Sequence, residues 1–499
     1  MATLVTEGGS LFDRKSTWGI FAVLIAILFL VTNLPWHLDN FDQAKQAFTS
    51  FQMVEQGQWL FQRAPTGQIG TKPPLIGWVS ALCYEVTRSW EIAWRLPSLA
   101  AALALAVVLT RATITSYGLQ AGLVGMSAFG LNLFSPRLAT LVRTEMPLAL
   151  IVFLLGLWVW RKIRTAEPWT PRDRLIVFGL LTAAMLVKGP IVYAFLLPGI
   201  VAFQFLNRKP NVSAWCGWWP WFASLAVFLA WVTAGLAWVP LFYEQVVLRE
   251  FAGRFSETVH RTQPIYFYFP HLLHKFAPWS ILLLALGVLG WRAKKIKLRE
   301  RWQSLQPEVV WLICWSLGGL LLMSLIPSKR VDRIFPMVPP LCLLLAAQVG
   351  QLGHDSALAR RVRRWSVVAL VFACLLTSGY ALQRISTSYR SNEAALVRFG
   401  ATVRQEASRG NWHYEVSGVT GGKDDPLSLL LYLRRTRFTE RDEVIRRWNA
   451  STLDAVVVSA DQVPSLLDQL PDAQRSGLEG AVIFNGRPRR YLLLKRETL

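Results

Sequence analysis

Charge is scarce in this sequence. Only 17% of its 499 residues are charged, against about a quarter in soluble domains. Acids are the scarcer sign, 31 against 53 basic residues. A chain so poor in charge and 53% hydrophobic is excluded as an ordinary soluble globule. Cysteine is sparse as well. Cys83, Cys216, Cys314, Cys342 and Cys374 fall in or beside apolar runs without CxxC spacing, which excludes a disulfide framework and a cysteine zinc site. Residues 384–499 lack a metal cluster, a Gly-rich phosphate loop and a nucleophile elbow; "GVTGGKDD" (418–425) reads as a turn.

What the chain has instead is long apolar runs. "WGIFAVLIAILFLVTNLPW" (18–36) and "WWPWFASLAVFLAWVTAGLAWVPLFY" (218–243) can each cross a hydrocarbon core of about 30 Å. Arg14 and Lys15 precede the first as in a secretory signal. It exceeds a signal core and lacks a small-residue cleavage site, so it reads as a retained span. Many of the 23 tryptophans stand near the ends of such runs, where an amphipathic ring suits the headgroup layer.

The net charge of +22 is concentrated in short loops, "RKIRTAEPWTPRDR" (161–174), "NRKP" (207–210), "WRAKKIKLRERW" (291–302) and "ARRVRRW" (359–365). That pattern orients a membrane protein with these loops in the cytoplasm, and nucleic acid is not the expected partner. The rule gives eleven spans, near 18–35, 93–112, 120–135, 146–160, 175–187, 190–206, 218–241, 277–291, 309–326, 334–350 and 366–383. The N-terminus is then inside and residues 384–499 outside, in the periplasm of a Gram-negative cell. In that tail "LDAVVVSA", "GAVIFNG" and "RYLLLKR" read as strands. The expected fold is mainly α: a polytopic membrane bundle of about 11–13 spans over 1–383, with interfacial helices in a first external loop (36–90). A small soluble α/β domain follows over 384–499.

The external loops hold the candidate chemistry. In "NFDQAKQAFTSFQMVEQGQW" the residues Phe41, Ala44, Ala47, Phe48, Phe51 and Val54 recur at helical spacing, as in a helix lying at the membrane surface. Asp42 stands at its start, where a carboxylate caps a helix or serves as a base; both readings stand. Lys72 precedes two prolines that fit only the opening of the next helix. "RTEMPL" (143–148), "VKGP" (187–190) and "SLIPSKRVDRIFPMVPP" (324–340) put Arg143, Glu145, Lys188, Lys329, Asp332 and Arg333 at tips on the same side. Singly, such charges snorkel. Together they form a mostly cationic face suited to an amphiphile with its phosphate at headgroup level and its tail in the bilayer. Arg254, Arg261, Tyr266 and Tyr268 lie in "REFAGRFSETVHRTQPIYFYFP" (249–270), a loop that covers the donor, binds the acceptor or simply lies at the interface.

The ordered set "FDQAKQAF", "KPPLIGW", "RLPS" (95–98), "RTEMPL", "VKGP", "APW" (277–279) and "SK…P…PP" (328–340) resembles the bacterial GT-C membrane glycosyltransferases. These are relatives of protein O-mannosyltransferases, and the similarity is greatest to the lipid A 4-amino-4-deoxy-L-arabinose transferases, over residues 15–350. The resemblance implies an inverting enzyme that takes a sugar from a polyprenyl phosphate, usually undecaprenyl phosphate, to lipid A or another envelope acceptor, with membrane lipids around it. It makes Asp42 catalytic and assigns donor phosphate binding to Lys72, Lys188, Lys329 and Arg333. Glu145, Arg143, Arg254 and Tyr268 fall to the acceptor or to support of the site. No cofactor is fixed by it, and a divalent metal at Glu145 is left open. Gln43, Thr71 and Arg333 depart from residues common in the family, so the reaction class carries over further than the sugar. A protein O-glycosyltransferase or polysaccharide-modifying enzyme is the alternative within the class. A lipid-linked saccharide flippase is the alternative outside it, disfavoured by the lack of an internal repeat.

Overall fold

A computed structural model describes residues 12, 14–38, 41–65, 68–207, 213–251, 262–293, 305–353, 356–390, 393–418, 426–484 and 486–497. The chain divides into two compact units, the first made of Met1–Thr32 with Arg95–Gln383, the second of Asn33–Trp94 with Arg384–Leu499.

Unit 1 is a helical bundle. Numbered along the whole chain, its helices are α1 (Lys15–Val31), α5 (Leu96–Gly130), α6 (Ser135–Ala139), α7 (Glu145–Thr165), α8 (Pro171–Lys188), α9 (Ile191–Leu206), α10 (Trp219–Trp238), α11 (Tyr268–Lys275), α12 (Trp279–Ala293), α13 (Pro307–Leu325), α14 (Val338–Gly353) and α15 (Ser356–Tyr389). Apolar side chains surround these helices on most sides, the pattern of segments buried in lipid or protein throughout. The chain is a multi-pass membrane protein. All eleven expected spans are helical, but among the described residues six helices are long and apolar enough to cross by length and composition. The bent pair Ile265–Lys275 and Trp279–Arg292 makes up to seven. The lower count has local causes. The expected spans 93–112 and 120–135 are two arms of α5, broken at Gly118, whose φ of 85° favours glycine. Helices α1 and α9, with 17 and 16 residues, fall short of full crossing length.

Small residues set the closest crossing. A Cβ at Gly318 of α13 would lie 2.7 Å from the Gly199 nitrogen of α9, and one at Gly199 would lie 2.7 Å from the Trp315 Cα. Backbones approach this closely only where no side chain intervenes. The Trp311 indole on the same helix donates to the Gly156 carbonyl of α7 at 3.1 Å, which ties a third helix to the crossing.

Unit 2 joins two stretches that are far apart in sequence. From the first loop come α2 (Phe41–Gln56), α3 (Leu75–Thr87) and α4 (Trp90–Ala93). The C-terminal part supplies α16 (Glu393–Gly410), α17 (Leu427–Tyr432), α18 (Arg441–Asn449), α19 (Val463–Leu467) and four strands, β1 (Tyr414–Val416), β2 (Ala455–Ser459), β3 (Ala473–Phe484) and β4 (Arg487–Arg496). The sheet runs β1-β2-β4-β3, parallel between β1 and β2 and antiparallel elsewhere. Trp448, Leu453, Val456, Val458 and Leu494 form its core. The apolar face of α2 expected at the membrane surface, Ala44, Ala47, Phe48 and Phe51, is buried, and α2 packs on α3 and α17. The Tyr432 hydroxyl accepts from the Leu38 amide at 2.8 Å. Arg434 meets Glu91 at 2.9 Å and lies 5.6 Å from the centre of the Trp94 ring.

Candidate active site

In unit 1 the charged tips converge. Glu145 is the first residue of α7 and Lys188 the last of α8, so the antiparallel turn between these neighbours brings their ends together. Lys188 Nζ donates to Glu145 Oε1 at 2.8 Å, both side chains buried. Arg143, just before α7, meets Asp332 Oδ2 at 2.9 Å and is close enough to act on Glu145 electrostatically. The result is a continuous row, Asp332, Arg143, Glu145, Lys188, of alternating sign. The Ser98 hydroxyl, at the start of α5, donates to the Leu141 carbonyl at 2.8 Å and that of Arg143 at 3.3 Å, which fixes the backbone entering α7.

The segment between α13 and α14 supplies the remaining cations. Ser328 pairs with Thr262 in an isolated antiparallel bridge, and the Gln263 amide donates to the Pro327 carbonyl at 3.1 Å. Held this way, the chain turns Lys329 inward. It is 7% exposed, and its Nζ donates to the Gln263 carbonyl at 2.8 Å. Among the described residues it meets no carboxylate within ion-pair distance, and burial lowers its pKa from the ordinary lysine value. Arg333 donates to the Ser328 carbonyl at 2.8 Å and to its hydroxyl at 3.2 Å. Tyr268 is buried at the start of α11. Arg254 and Arg261 lie outside the described residues, as does most of "GVTGGKDD".

Unit 2 holds the other two named residues. Asp42 is the second residue of α2 and half-buried. Lys72, also half-buried, precedes Pro73 and Pro74, both buried, with Pro74 capping α3. Two backbone bonds close the approach to it, from Ala64 to Gln68 and from Gly70 to Gln62, each 2.7 Å.

Charge placement marks Asp332 as one of the tips but not as the partner of Arg143, a contact across 189 residues. Ser98 stood inside "RLPS" with nothing local to mark it as a backbone clamp. No group of three or more His, Cys, Asp or Glu suited to a metal occurs among the described residues. One oxygen of Glu145 is already engaged by a lysine. The described residues do not fit a metal at Glu145.

A helical membrane bundle with a row of alternating charges at one end and a small mixed sheet resembles the fold of the GT-C membrane glycosyltransferases. More particularly, it resembles ArnT from Cupriavidus metallidurans, solved bound to undecaprenyl phosphate, with a TM-score of 0.68 at 16% identity over 96% of this chain and 98% of that one. No family model matches the chain. Named relatives include the undecaprenyl phosphate-alpha-4-amino-4-deoxy-L-arabinose arabinosyl transferase of Shewanella sediminis (strain HAW-EB3), 25% identical over 71% of this chain and 64% of that protein. The transferase of the same name from Pseudomonas aeruginosa (strain LESB58) is 30% identical over 52% of each. The chain thus spans less than two thirds of these relatives' length.

Proposed function

We propose that the protein is an inverting glycosyltransferase that moves a sugar from undecaprenyl phosphate to lipid A or another envelope glycolipid. The observation that carries this reading is Lys329, a buried ammonium whose bond partner is a neutral carbonyl. A buried cation that meets no counter-ion among the described residues is costly, and a phosphate supplies one. Arg333 lies four residues on, and guanidinium and ammonium groups bind phosphate oxygens through charge-assisted bonds. The relatives' names and the lipid in the ArnT crystal support the same donor class.

In this mechanism an acceptor oxygen attacks the anomeric carbon as the bond from that carbon to the phosphate oxygen breaks. The departing polyprenyl phosphate takes the bonding electrons. Lys329 and Arg333 stabilise the charge that grows on it; one such donor is typically worth a factor of about 10² to 10³ in rate. The Glu145–Lys188 pair holds the adjacent helix ends in register. The resemblance supports Lys72 as a further phosphate contact and Asp42 as the group that orients the acceptor or takes its proton. An acceptor that is already a phosphate, as on lipid A, requires little proton abstraction, and Asp42 then mainly orients it. The reading includes a bacterial inner membrane, a cytoplasmic N-terminus and a periplasmic segment 384–499.

The test is mass spectrometry of lipid A, envelope glycans and secreted proteins from a strain lacking the gene. Loss of one sugar from the lipid A fraction is expected. Loss from proteins alone would reassign the acceptor, and no change in any fraction would remove the glycosyltransferase reading.

A further inference from the structure

At the other end of unit 1 the helices carry arginines that the transferase chemistry leaves unused. On α12 the residues Ile281, Leu284, Ala285, Val288 and Arg292 stand at i, i+3, i+4, i+7 and i+11 and so share one face. With Leu358, Arg361 and Trp365 of α15 they line a groove of about 740 Å³. Ile281, Leu284 and Val288 are more than half exposed, as befits a wall that meets acyl chains. Both arginines lie at one end of that wall.

A second groove repeats the plan on different helices. Val108 and Arg111 of α5, Leu157, Trp158 and Arg161 of α7, and Leu180 of α8 line about 530 Å³. Again an apolar wall ends in two arginines from two helices beside a tryptophan, with Arg161 5.8 Å from the centre of the Trp158 ring. The two grooves lie toward the same end of the unit. Gly290 of α12 neighbours Leu352 of α14, whose Gly350 abuts Tyr117 of α5, and Tyr117 lies 6.3 Å from Trp160. Arg161 is 16 residues along α7 from Glu145, about 24 Å at the helical rise. These arginines therefore sit near the far leaflet from the Glu145–Lys188 row.

We propose that the α12–α15 groove is a binding site for an anionic glycerophospholipid, its acyl chains along the α12 wall and its phosphate between Arg292 and Arg361. A zwitterionic lipid fills the apolar wall equally well but carries no net charge for the two guanidinium groups. Discrimination therefore rests on the arginines, and two basic residues near the surface give roughly a tenfold preference or more. Arg292 and Arg361 are exposed, so replacing them does not disturb the core.

The experiment is native mass spectrometry of the full chain released from nanodiscs of equal phosphatidylglycerol and phosphatidylcholine. The wild type is expected to retain phosphatidylglycerol over phosphatidylcholine by roughly tenfold. R292Q/R361Q is expected to lose that preference, and R292K/R361K, which keeps the charge, to preserve most of it. Equal retention of both lipids by the wild type, or an unchanged preference in R292Q/R361Q, overturns the proposal. So does displacement of phosphatidylglycerol by undecaprenyl phosphate in R292Q/R361Q and wild type alike, which would assign the retained lipid to the transferase site.

Discussion

Lys188 and Glu145 face one another at 2.8 Å from the ends of two antiparallel helices, both side chains buried. A buried pair of this kind adds little net stability over apolar residues of the same size, but breaking it strands a charge. The pair therefore acts chiefly by placing the helix ends next to Arg143 and Gly189.

Glu145→Gln should destabilise the protein by about 3–5 kcal/mol, because Lys188 loses its counter-ion inside the bundle. The double variant Glu145→Leu/Lys188→Leu should recover most of that loss while transferring sugar poorly. Thermal unfolding in detergent and turnover, measured on the same samples, check both. A double variant that is stable and fully active would leave the pair a packing feature only.

Lys329 gives a pH signature. Burial lowers its pKa, so its proton is lost on raising the pH at lower values than the ordinary lysine figure of about 10.4. Binding of undecaprenyl phosphate, which requires the charged form, should weaken as the pH rises through that lowered value. The folded state binds this proton less tightly than the unfolded chain, so on its own the group lets stability rise with pH over the same window. Affinity and stability thus move in opposite directions. Lys329→Met should weaken binding by about 10- to 10²-fold and flatten the alkaline limb. Affinity titrations across the alkaline range, on wild type and variant, read both.

Gly318→Ala should cost about 1–3 kcal/mol by overpacking, since the new methyl meets the Gly199 backbone at 2.7 Å. Gly379→Ala on α15, where nothing lies within 4 Å, should be neutral or stabilising by up to about 1 kcal/mol through helix propensity. Denaturant melts of the two variants make the comparison, and equal losses would contradict the close α9–α13 crossing.

Arg434→Ala should loosen the join between the first loop and the C-terminal segment within unit 2. Glu91 is partly exposed, so the ion pair is worth only about 0.2–1 kcal/mol, with the Trp94 contact adding a similar amount. Burial pushes the Glu91 carboxyl up, but Arg434 and further hydrogen bonds and charges hold it below the usual carboxylate range. Its contribution is therefore complete above the ordinary glutamate pKa of about 4.3 and disappears as the pH falls through the lowered value. Hydrogen exchange of residues 41–56 should be faster in the variant at pH 7, with the difference shrinking toward pH 3.

Much of this was legible in the sequence. The β-branched run within 455–459 and the apolar run at 491–494 announced β2 and β4, and the 3.6-residue repeat from Phe41 announced α2. Strand β1 was not, because three residues carry no alternation to detect. The break at Gly118 was hidden because apolar composition continues through it. The tips holding Glu145, Lys188 and Lys329 could be found from charge placement alone, whereas the pairing of Arg143 with Asp332 could not. Nor could the assembly of residues 33–94 with 384–499, since the Leu38–Tyr432 bond joins positions 394 apart and leaves no local periodicity.

The most direct measurement is transfer itself. Purified full-length protein in liposomes receives undecaprenyl phosphate-linked 4-amino-4-deoxy-L-arabinose and lipid A, and the lipid A is weighed by mass spectrometry. The account predicts sugar-modified lipid A from the wild type and at least about 10²-fold less from Lys329→Met. Unmodified lipid A from the wild type would contradict this pairing of donor and acceptor, and full transfer by Lys329→Met would contradict the phosphate-binding role on which the account rests.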